Sequence, residues 1–137
     1  MRIIREVMEP KVFWIAMDAP LNRAADELAA RDISGAPVCD PRGNLVGVLS
    51  KSDLTEVFSS QPDGRVAADI MTPLALTVEP DDSLERAIKL MAFEGVHRLL
   101  VVSRGGSLEG IITSMDVLRE LAGYGRAGPR VMTVAAP

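Results

Sequence analysis

Hydrophobic residues recur at helical spacing in two separate stretches of this chain, one in each half. Asp82 or Ser83 precedes the second stretch and is suited to cap the start of a helix. Intervals of three and four residues place such positions on one face of a helix, which predicts an amphipathic helix in each half. The stripes are Leu84, Ala87, Ile88 and Met91 in the second half, and Leu21, Ala24, Ala25 and Leu28 in the first.

Each predicted helix is followed by two short apolar runs that flank four turn-forming residues, a pattern typical of a β-hairpin. A short extended segment precedes each helix, and a second short helix follows each hairpin. The predicted order in each half is therefore β-α-β-β-α. The extended segments are 12–16 and 75–78, the hairpin strands 36–39, 45–49, 99–102 and 108–112, and the last helices begin near Ser52 or Ser114 and end near Phe58 or Leu121.

The two halves are copies of one motif. The tripeptide Met8-Glu9-Pro10 returns as Met71-Thr72-Pro73, an offset of 71 − 8 = 63 residues. The same offset, without a gap, aligns identical residues along the whole motif, which indicates a duplication. Identical pairs include Asp18/Asp81, Leu21/Leu84, Arg23/Arg86, Val38/Val101, Gly43/Gly106, Gly47/Gly110 and Asp53/Asp116.

The duplication predicts a mixed α/β fold (α+β) with two repeats. A unit of roughly 50–60 residues buries little of its surface alone, so we expect the two copies to pack sheet to sheet about a pseudo-two-fold axis. We assign 1–58 to the first repeat, 59–65 to a linker and 66–122 to the second repeat. The Gly-, Ala- and Pro-rich tail 123–137 is a docked strand, a truncated boundary or disordered chain, and the sequence leaves these open.

Charge and composition restrict the function. The formal net charge is −4, which argues against a broad nucleic-acid or anionic membrane surface, since both need a basic face. No stretch approaches the roughly 18–20 apolar residues of a membrane span, and the charged N-terminus lacks a signal-peptide core, so we expect a cytoplasmic location. The single cysteine, Cys39, is expected to be a small buried side chain.

A second repeated pattern lies where each hairpin meets its last helix: a glycine, two apolar residues, Ser or Thr, two variable residues and Asp. It gives Ser50 with Asp53 in the first copy and Thr113 with Asp116 in the second. A hydroxyl beside the free N–H groups of a helix start favours a phosphate, and a carboxylate one turn on can accept hydrogen bonds from a ribose diol. The alternative is that the hydroxyls are ordinary N-caps and the aspartates only complement the helix dipole.

This junction pattern, the Met-x-Pro openings and the segment Ile33-Ser34-Gly35-Ala36-Pro37-Val38 resemble the cystathionine β-synthase (CBS) domain family, here as a tandem pair (a Bateman module) over about residues 5–122. The resemblance implies that the aspartates hold ribose hydroxyls and that Ser or Thr approaches the phosphate. Apolar residues would sandwich the adenine. The candidates for that sandwich are Ile15, Val78, Ile33, Ala36, Pro37 and Val38.

His97 and Arg98 are the remaining candidates. They resemble the His-Arg pair that grips nucleotide phosphates in the regulatory γ subunit of AMP-activated protein kinase, a role for which the planar guanidinium is suited. In the first copy Ser34 and Gly35 stand at these positions, and Lys51 is the alternative cation. The two clefts are therefore not equivalent.

Few residues could support catalysis. One histidine, one cysteine and no metal-ligand cluster predict a protein that is not an enzyme and that needs no cofactor or metal. We expect a regulatory module that binds AMP, ADP or ATP and acts on an effector protein that the sequence does not identify. The alternatives are a dimerisation scaffold with vestigial sites, or binding of S-adenosylmethionine or a magnesium nucleotide. A homodimer is expected through apolar helix positions, namely Ala25, Leu28, Ala29, Ile88, Met91 and Ala92.

Overall fold

A computed structural model describes residues 2–58, 64–73 and 75–124. Most of the predicted linker (59–65) and nearly all of the predicted tail (123–137) lie outside these ranges. No helix in the described ranges has both the length and the apolar character needed to cross a membrane.

The order β-α-β-β-α is confirmed in both copies, and a short helical turn precedes each copy. The first copy comprises β1 (Ile15–Ala16), α1 (Leu21–Arg31), β2 (Gly35–Cys39), β3 (Leu45–Ser50) and α2 (Lys51–Phe58), preceded by a 3-10 turn at Ile4–Glu6. The second comprises β4 (Thr77–Val78), α4 (Leu84–Glu94), β5 (Arg98–Val102), β6 (Leu108–Thr113) and α5 (Ser114–Leu121), preceded by α3 (Ala67–Ile70).

Each copy forms a three-stranded sheet with its hairpin at one side. The first sheet has the order β1-β2-β3 and the second β4-β5-β6. In both, the first strand is parallel to the second and the second is antiparallel to the third. The first strands are shorter than predicted: Ile15–Ala16 pairs with β2, and Thr77–Val78 pairs with β5.

The helices begin and end where local chemistry requires. The Ser83 hydroxyl accepts a hydrogen bond from the Arg86 amide (3.1 Å) and caps α4, as predicted. Gly95 ends the same helix in the left-handed conformation (φ 69°), which glycine adopts without steric cost. Its counterpart in the first copy, Asp32, has φ 51°, a conformation that costs a non-glycine residue more.

The opening segment of each copy packs against the core of the other copy. Ile4, Val7 and Met8 are buried in the second core. Ala67, 63 residues after Ile4, is buried in the first core. Hydrogen bonds between backbones fix both crossings, including that from the Ile4 amide to the Asp82 carbonyl (2.9 Å). Each core is thus completed by chain from the opposite repeat.

The repeats are related by a pseudo-two-fold axis that passes between their hairpin turns. The Leu45 amide donates to the Gly106 carbonyl (2.9 Å), and the Leu108 amide donates to the Gly43 carbonyl (3.0 Å). These two hydrogen bonds exchange places under the 63-residue offset. The fold predicted from the sequence, two repeats packed sheet to sheet with pseudo-two-fold symmetry, is confirmed.

Candidate ligand-binding cleft

A cleft of about 530 Å³ lies between the two sheets, and both copies line it. We call it the first cleft because it contains the strand-to-helix junction of the first copy. Its lining residues from the first copy are Ser34, Gly35, Ala36, Pro37, Val48, Ser50 and Asp53, and those from the rest of the chain are Thr72, Ala75, Leu76, Arg98, Leu100 and Ile111.

Ser50 and Asp53 form a reciprocal capping pair at the start of α2. The Ser50 amide donates to Asp53 Oδ2 (3.0 Å), and the Asp53 amide donates to Ser50 Oγ (3.1 Å). Ser50 Oγ also lies 3.1 Å from Ser52 Oγ. Among the hydrogen bonds of the described chain, none engages Asp53 Oδ1. The pair therefore caps α2. Asp53 Oδ1 remains able to accept hydrogen bonds from a ligand.

Thr113 and Asp116 repeat this geometry in the second copy. The Thr113 amide donates to Asp116 Oδ2 (2.9 Å), and the Asp116 amide donates to Thr113 Oγ1 (3.1 Å). One difference is that Asp116 Oδ1 lies 3.9 Å from Nη1 of Arg119. Neither Thr113 nor Asp116 lines the first cleft.

The cation of the first cleft comes from the second copy. Arg98 begins β5 and is exposed, and it lines the cleft that also holds Ser50 and Asp53. Lys51, the alternative cation considered from the sequence, does not line it; the Lys51 amide donates to the Ser34 carbonyl (2.8 Å). His97 is also outside this cleft, and its carbonyl accepts from the Ser114 amide (2.9 Å). Arg98 thus lines this cleft without His97.

The apolar residues predicted to flank an adenine divide into two groups. Ala36 and Pro37 line the first cleft. Ile15 and Val78 are each 3% exposed and belong to the two cores, and Ile33 is half-buried against the first core. None of these three side chains lines the first cleft.

Several lining residues were not identified from the sequence. Thr72 belongs to the Met-x-Pro tripeptide that opens the second copy. Its amide and carbonyl bond to Val48 (2.9 and 2.8 Å), so the tripeptide adds a short stretch of backbone beside β3. The duplication marks this segment, but no sequence signal shows that it crosses to the other copy.

Glycine permits that crossing. A Cβ atom on Gly47 would lie 2.8 Å from the Thr72 carbonyl oxygen and 2.6 Å from Met71 Sδ. A Cβ on Gly110 would lie 2.7 Å from the Glu9 carbonyl oxygen. The glycine that opens each junction motif is therefore required for close approach of the crossing backbone.

Two further predictions concern reactive groups. Cys39 is fully buried, as predicted, and burial, together with the nearby Asp40 charge, raises the pKa of its thiol to about 11. The thiol is therefore protonated at neutral pH and a poor nucleophile. Within the described ranges, no group of three or more His, Cys, Asp or Glu side chains is arranged to hold a metal ion.

Comparison with known proteins gives one consistent result. Residues 4–60 and 66–123 each match the family model described as the CBS domain. The chloroplastic CBS domain-containing protein CBSX1 of Arabidopsis thaliana is 30% identical, with 80% of this chain and 59% of that protein covered. The uncharacterized protein MJ1225 of Methanocaldococcus jannaschii is 29% identical over 86% of this chain and 42% of that protein. This chain therefore spans less than two thirds of the length of either relative.

A solved structure agrees with this family and with the fold. The crystal structure of CBSX2 from Arabidopsis thaliana in complex with AMP superposes with a TM-score of 0.75 at 30% sequence identity, covering 89% of this chain and 97% of that one. The chain belongs to the CBS domain family and carries two copies of the domain in tandem.

Proposed function

We propose that this chain is a regulatory module that binds AMP, ADP or ATP in the first cleft and carries out no chemistry of its own. One observation carries the proposal: the cleft brings a carboxylate suited to a ribose, Asp53, together with a phosphate-binding guanidinium, Arg98, from the opposite repeat. The AMP complex of CBSX2, a relative with the same fold, supports this assignment.

The chemistry of the cleft suits the parts of a nucleotide. Asp53 Oδ1 is available to accept hydrogen bonds from the ribose hydroxyls, while Oδ2 stays on the Ser50 amide. Ser50 and the first turn of α2 lie where a phosphate would be favoured. Arg98 supplies the positive charge that an anionic ligand needs on a chain of net charge −4. Ala36, Pro37 and Leu100 provide apolar surface for the base.

A ligand in this cleft would couple its binding to the arrangement of the two repeats. It would contact Ser50 and Asp53 of the first copy and Arg98 and Leu100 of the second, so binding would favour the arrangement in which both sets converge. A ligand can shift a conformational equilibrium only by the difference in its affinity for the two states. Contacts from both repeats supply such a difference, which is the property a sensor module needs.

Removing the ribose acceptor tests the proposal. Asp53→Asn keeps an oxygen that can accept from the Ser50 amide but removes the charge, and we expect AMP affinity to fall about tenfold, as for the loss of a charge-assisted hydrogen bond. The measurement is calorimetric titration with AMP, ADP and ATP. Asp116→Asn makes the same change outside the first cleft and serves as the matched control. Unchanged AMP affinity in Asp53→Asn would show that this carboxylate does not hold the ribose.

A dimerisation scaffold is the second candidate, and a specific surface favours it. Phe93, Leu118 and Leu121 are 85%, 56% and 64% exposed on α4 and α5. The dimer surface predicted from the sequence was partly wrong, because Leu28 (1% exposed) and Met91 (6%) are buried in the two cores. We propose that a second copy of the chain covers the α4–α5 face, which gives a homodimer.

Sedimentation velocity at tens of micromolar tests the dimer. Leu118→Asp should convert the wild-type dimer to monomer, because a carboxylate buried without a partner is strongly unfavourable. Thr55→Asp is the matched control, since Thr55 is the exposed counterpart of Leu118 in the first copy. Monomeric wild-type protein, or a dimer unaffected by Leu118→Asp, would contradict the assignment of this face.

A further inference from the structure

A groove of about 570 Å³ lies between β1 and α1 of the first copy. Phe13 and Trp14 line it from the strand side, and Arg23 and Glu27 line it from the helix side. Trp14 is 38% exposed, while the Arg31 guanidinium lies over the Phe13 ring, 3.8 Å from its centroid. Of the described residues, none lines both this groove and the first cleft. The groove is therefore a separate surface that the proposed nucleotide site does not use.

The strand that forms one wall of this groove is at the edge of its sheet. In the described chain β1 pairs with β2 and with no other strand. The Met17 amide donates to the Cys39 carbonyl on β2 (3.0 Å). Because alternate residues of a strand direct their backbone groups to opposite edges, Trp14 and Ala16 direct theirs away from β2. The Ala16 carbonyl accepts from the Ala19 amide (3.0 Å), which leaves the Trp14 carbonyl and the Ala16 amide for an added strand.

The chain just beyond β1 already accepts such an added strand. The Ala68 amide donates to the Met17 carbonyl (2.9 Å), and Val66 forms an antiparallel bridge with Pro20. The opening segment of the second copy thus pairs with the backbone that follows β1. The outer edge of β1 continues the same stretch of backbone without a partner from the described residues, so an extended peptide could occupy it.

Arg23, on the helix side of the groove, is a cation without a carboxylate partner in the described ranges. Its equivalent under the 63-residue offset, Arg86, lies 3.4 Å from Asp82. The residue equivalent to Asp82 is Ala19, so this ion pair cannot form in the first copy. The guanidinium of Arg23 is therefore available to an anionic group that enters the groove.

Asp18, at the end of the groove that follows β1, has likewise lost a partner. Its equivalent, Asp81, pairs with Arg5 (2.6 Å), but the residue equivalent to Arg5 is Ala68. No other ion pair of the described chain includes Asp18. The groove thus offers one free cation and one free anion beside an exposed aromatic side chain and an open strand edge.

We propose that this groove docks an extended peptide segment of a partner protein, one that carries both an acidic and a basic side chain. The peptide backbone would pair with the outer edge of β1, and its alternate side chains would enter the groove. Arg23 and Asp18 would select the opposite charges, while Trp14 would pack against the apolar part of the peptide. The module could then contact an effector while a nucleotide occupies the first cleft.

Peptide selection on the full chain tests the proposal. The probe is a phage-displayed library of random linear octapeptides, and the enriched sequence is then titrated as a synthetic peptide. Trp14 is the single tryptophan, so its fluorescence reports directly on occupancy of the groove. We expect a saturable fluorescence change. N-methylation at successive peptide positions should weaken binding at every second one, because a paired strand directs alternate amides to its partner.

Arg23→Ala should weaken peptide binding about tenfold, as for the loss of a charge-assisted hydrogen bond. Arg86→Ala makes the same change at the equivalent position of the second copy and is the matched control. Equal losses in the two variants, no loss in Arg23→Ala, or no enriched peptide that changes Trp14 fluorescence would overturn the docking site. AMP titration of the same proteins keeps the two proposals distinct, since AMP binding without peptide binding overturns the docking site alone, and peptide binding without AMP binding overturns the nucleotide function alone.

Discussion

Replacing Ile4 with alanine is expected to lower the free energy of unfolding by about 2–5 kcal/mol, the range for truncating a fully buried aliphatic side chain. Ile4 is 0% exposed and packs in the second core with Leu84 and Leu99. Urea denaturation followed by circular dichroism measures the loss.

The neighbouring residue provides the control for Ile4. Ile3 is half-exposed, so Ile3→Ala should cost about 1 kcal/mol or less. The single tryptophan, Trp14, lies in the first copy, and its fluorescence provides a second signal. If Ile4→Ala weakens the second core alone, this fluorescence should change at a higher urea concentration than the circular dichroism. Equal losses for Ile3→Ala and Ile4→Ala would show that the opening segment is not part of the second core.

Local elements could be predicted from the sequence because each depends on nearby residues. The stripe from Leu84 to Met91 specifies its helix through spacing alone, and Ser83 marks where it begins. The hairpins follow from two apolar runs around a turn, with Gly43 and Gly106 both at positive φ (85° and 97°). The duplication then supplied the pseudo-two-fold axis, since two equal surfaces that must both be buried pack against each other.

Long-range placement could not be predicted in the same way. The repeated Met-x-Pro tripeptide marks the start of each copy, but the sequence does not say which core the preceding residues enter. Ile4 and Ala67 are both simply apolar in the sequence, and only the fold shows that each lies in the core of the other copy. Ile15 and Val78 are apolar, which suits either a core or a ligand pocket, and in the structure both are buried in the cores.

In the candidate site, too, the local features could be predicted from the sequence and the long-range placement could not. Ser50 and Asp53 lie three residues apart, and their junction follows from local sequence alone, including the capping pair. Arg98 is 45 residues beyond Asp53 in the sequence (98 − 53 = 45), and its presence in the same cleft depends on how the sheets pack. Its neighbour His97, which is expected to act with it, lies just before β5 and does not line the first cleft.

Arg98→Ala should reduce AMP affinity by about tenfold to a hundredfold and leave the affinity for adenosine nearly unchanged. A guanidinium contributes most where the ligand carries charge, with about 1.5–3 kcal/mol for a hydrogen bond between charged groups, and adenosine has no phosphate for it to bind. Calorimetric titration with both ligands measures the difference. Arg98→Lys should restore only part of the affinity, because an ammonium cannot form the two parallel hydrogen bonds of the planar fork.

Salt dependence and a control variant separate a phosphate contact from a structural role for Arg98. Added salt should weaken AMP binding more in the wild type than in Arg98→Ala, because salt screens the exposed charge pair that the variant lacks. Arg104→Ala removes an equally charged, 92% exposed side chain that pairs with Glu79 outside the first cleft, so it should leave both affinities unchanged. If Arg98→Ala lost affinity for adenosine and AMP to the same extent, the arginine would be supporting the cleft wall. The phosphate contacts would then have to come from Ser50 and the first turn of α2.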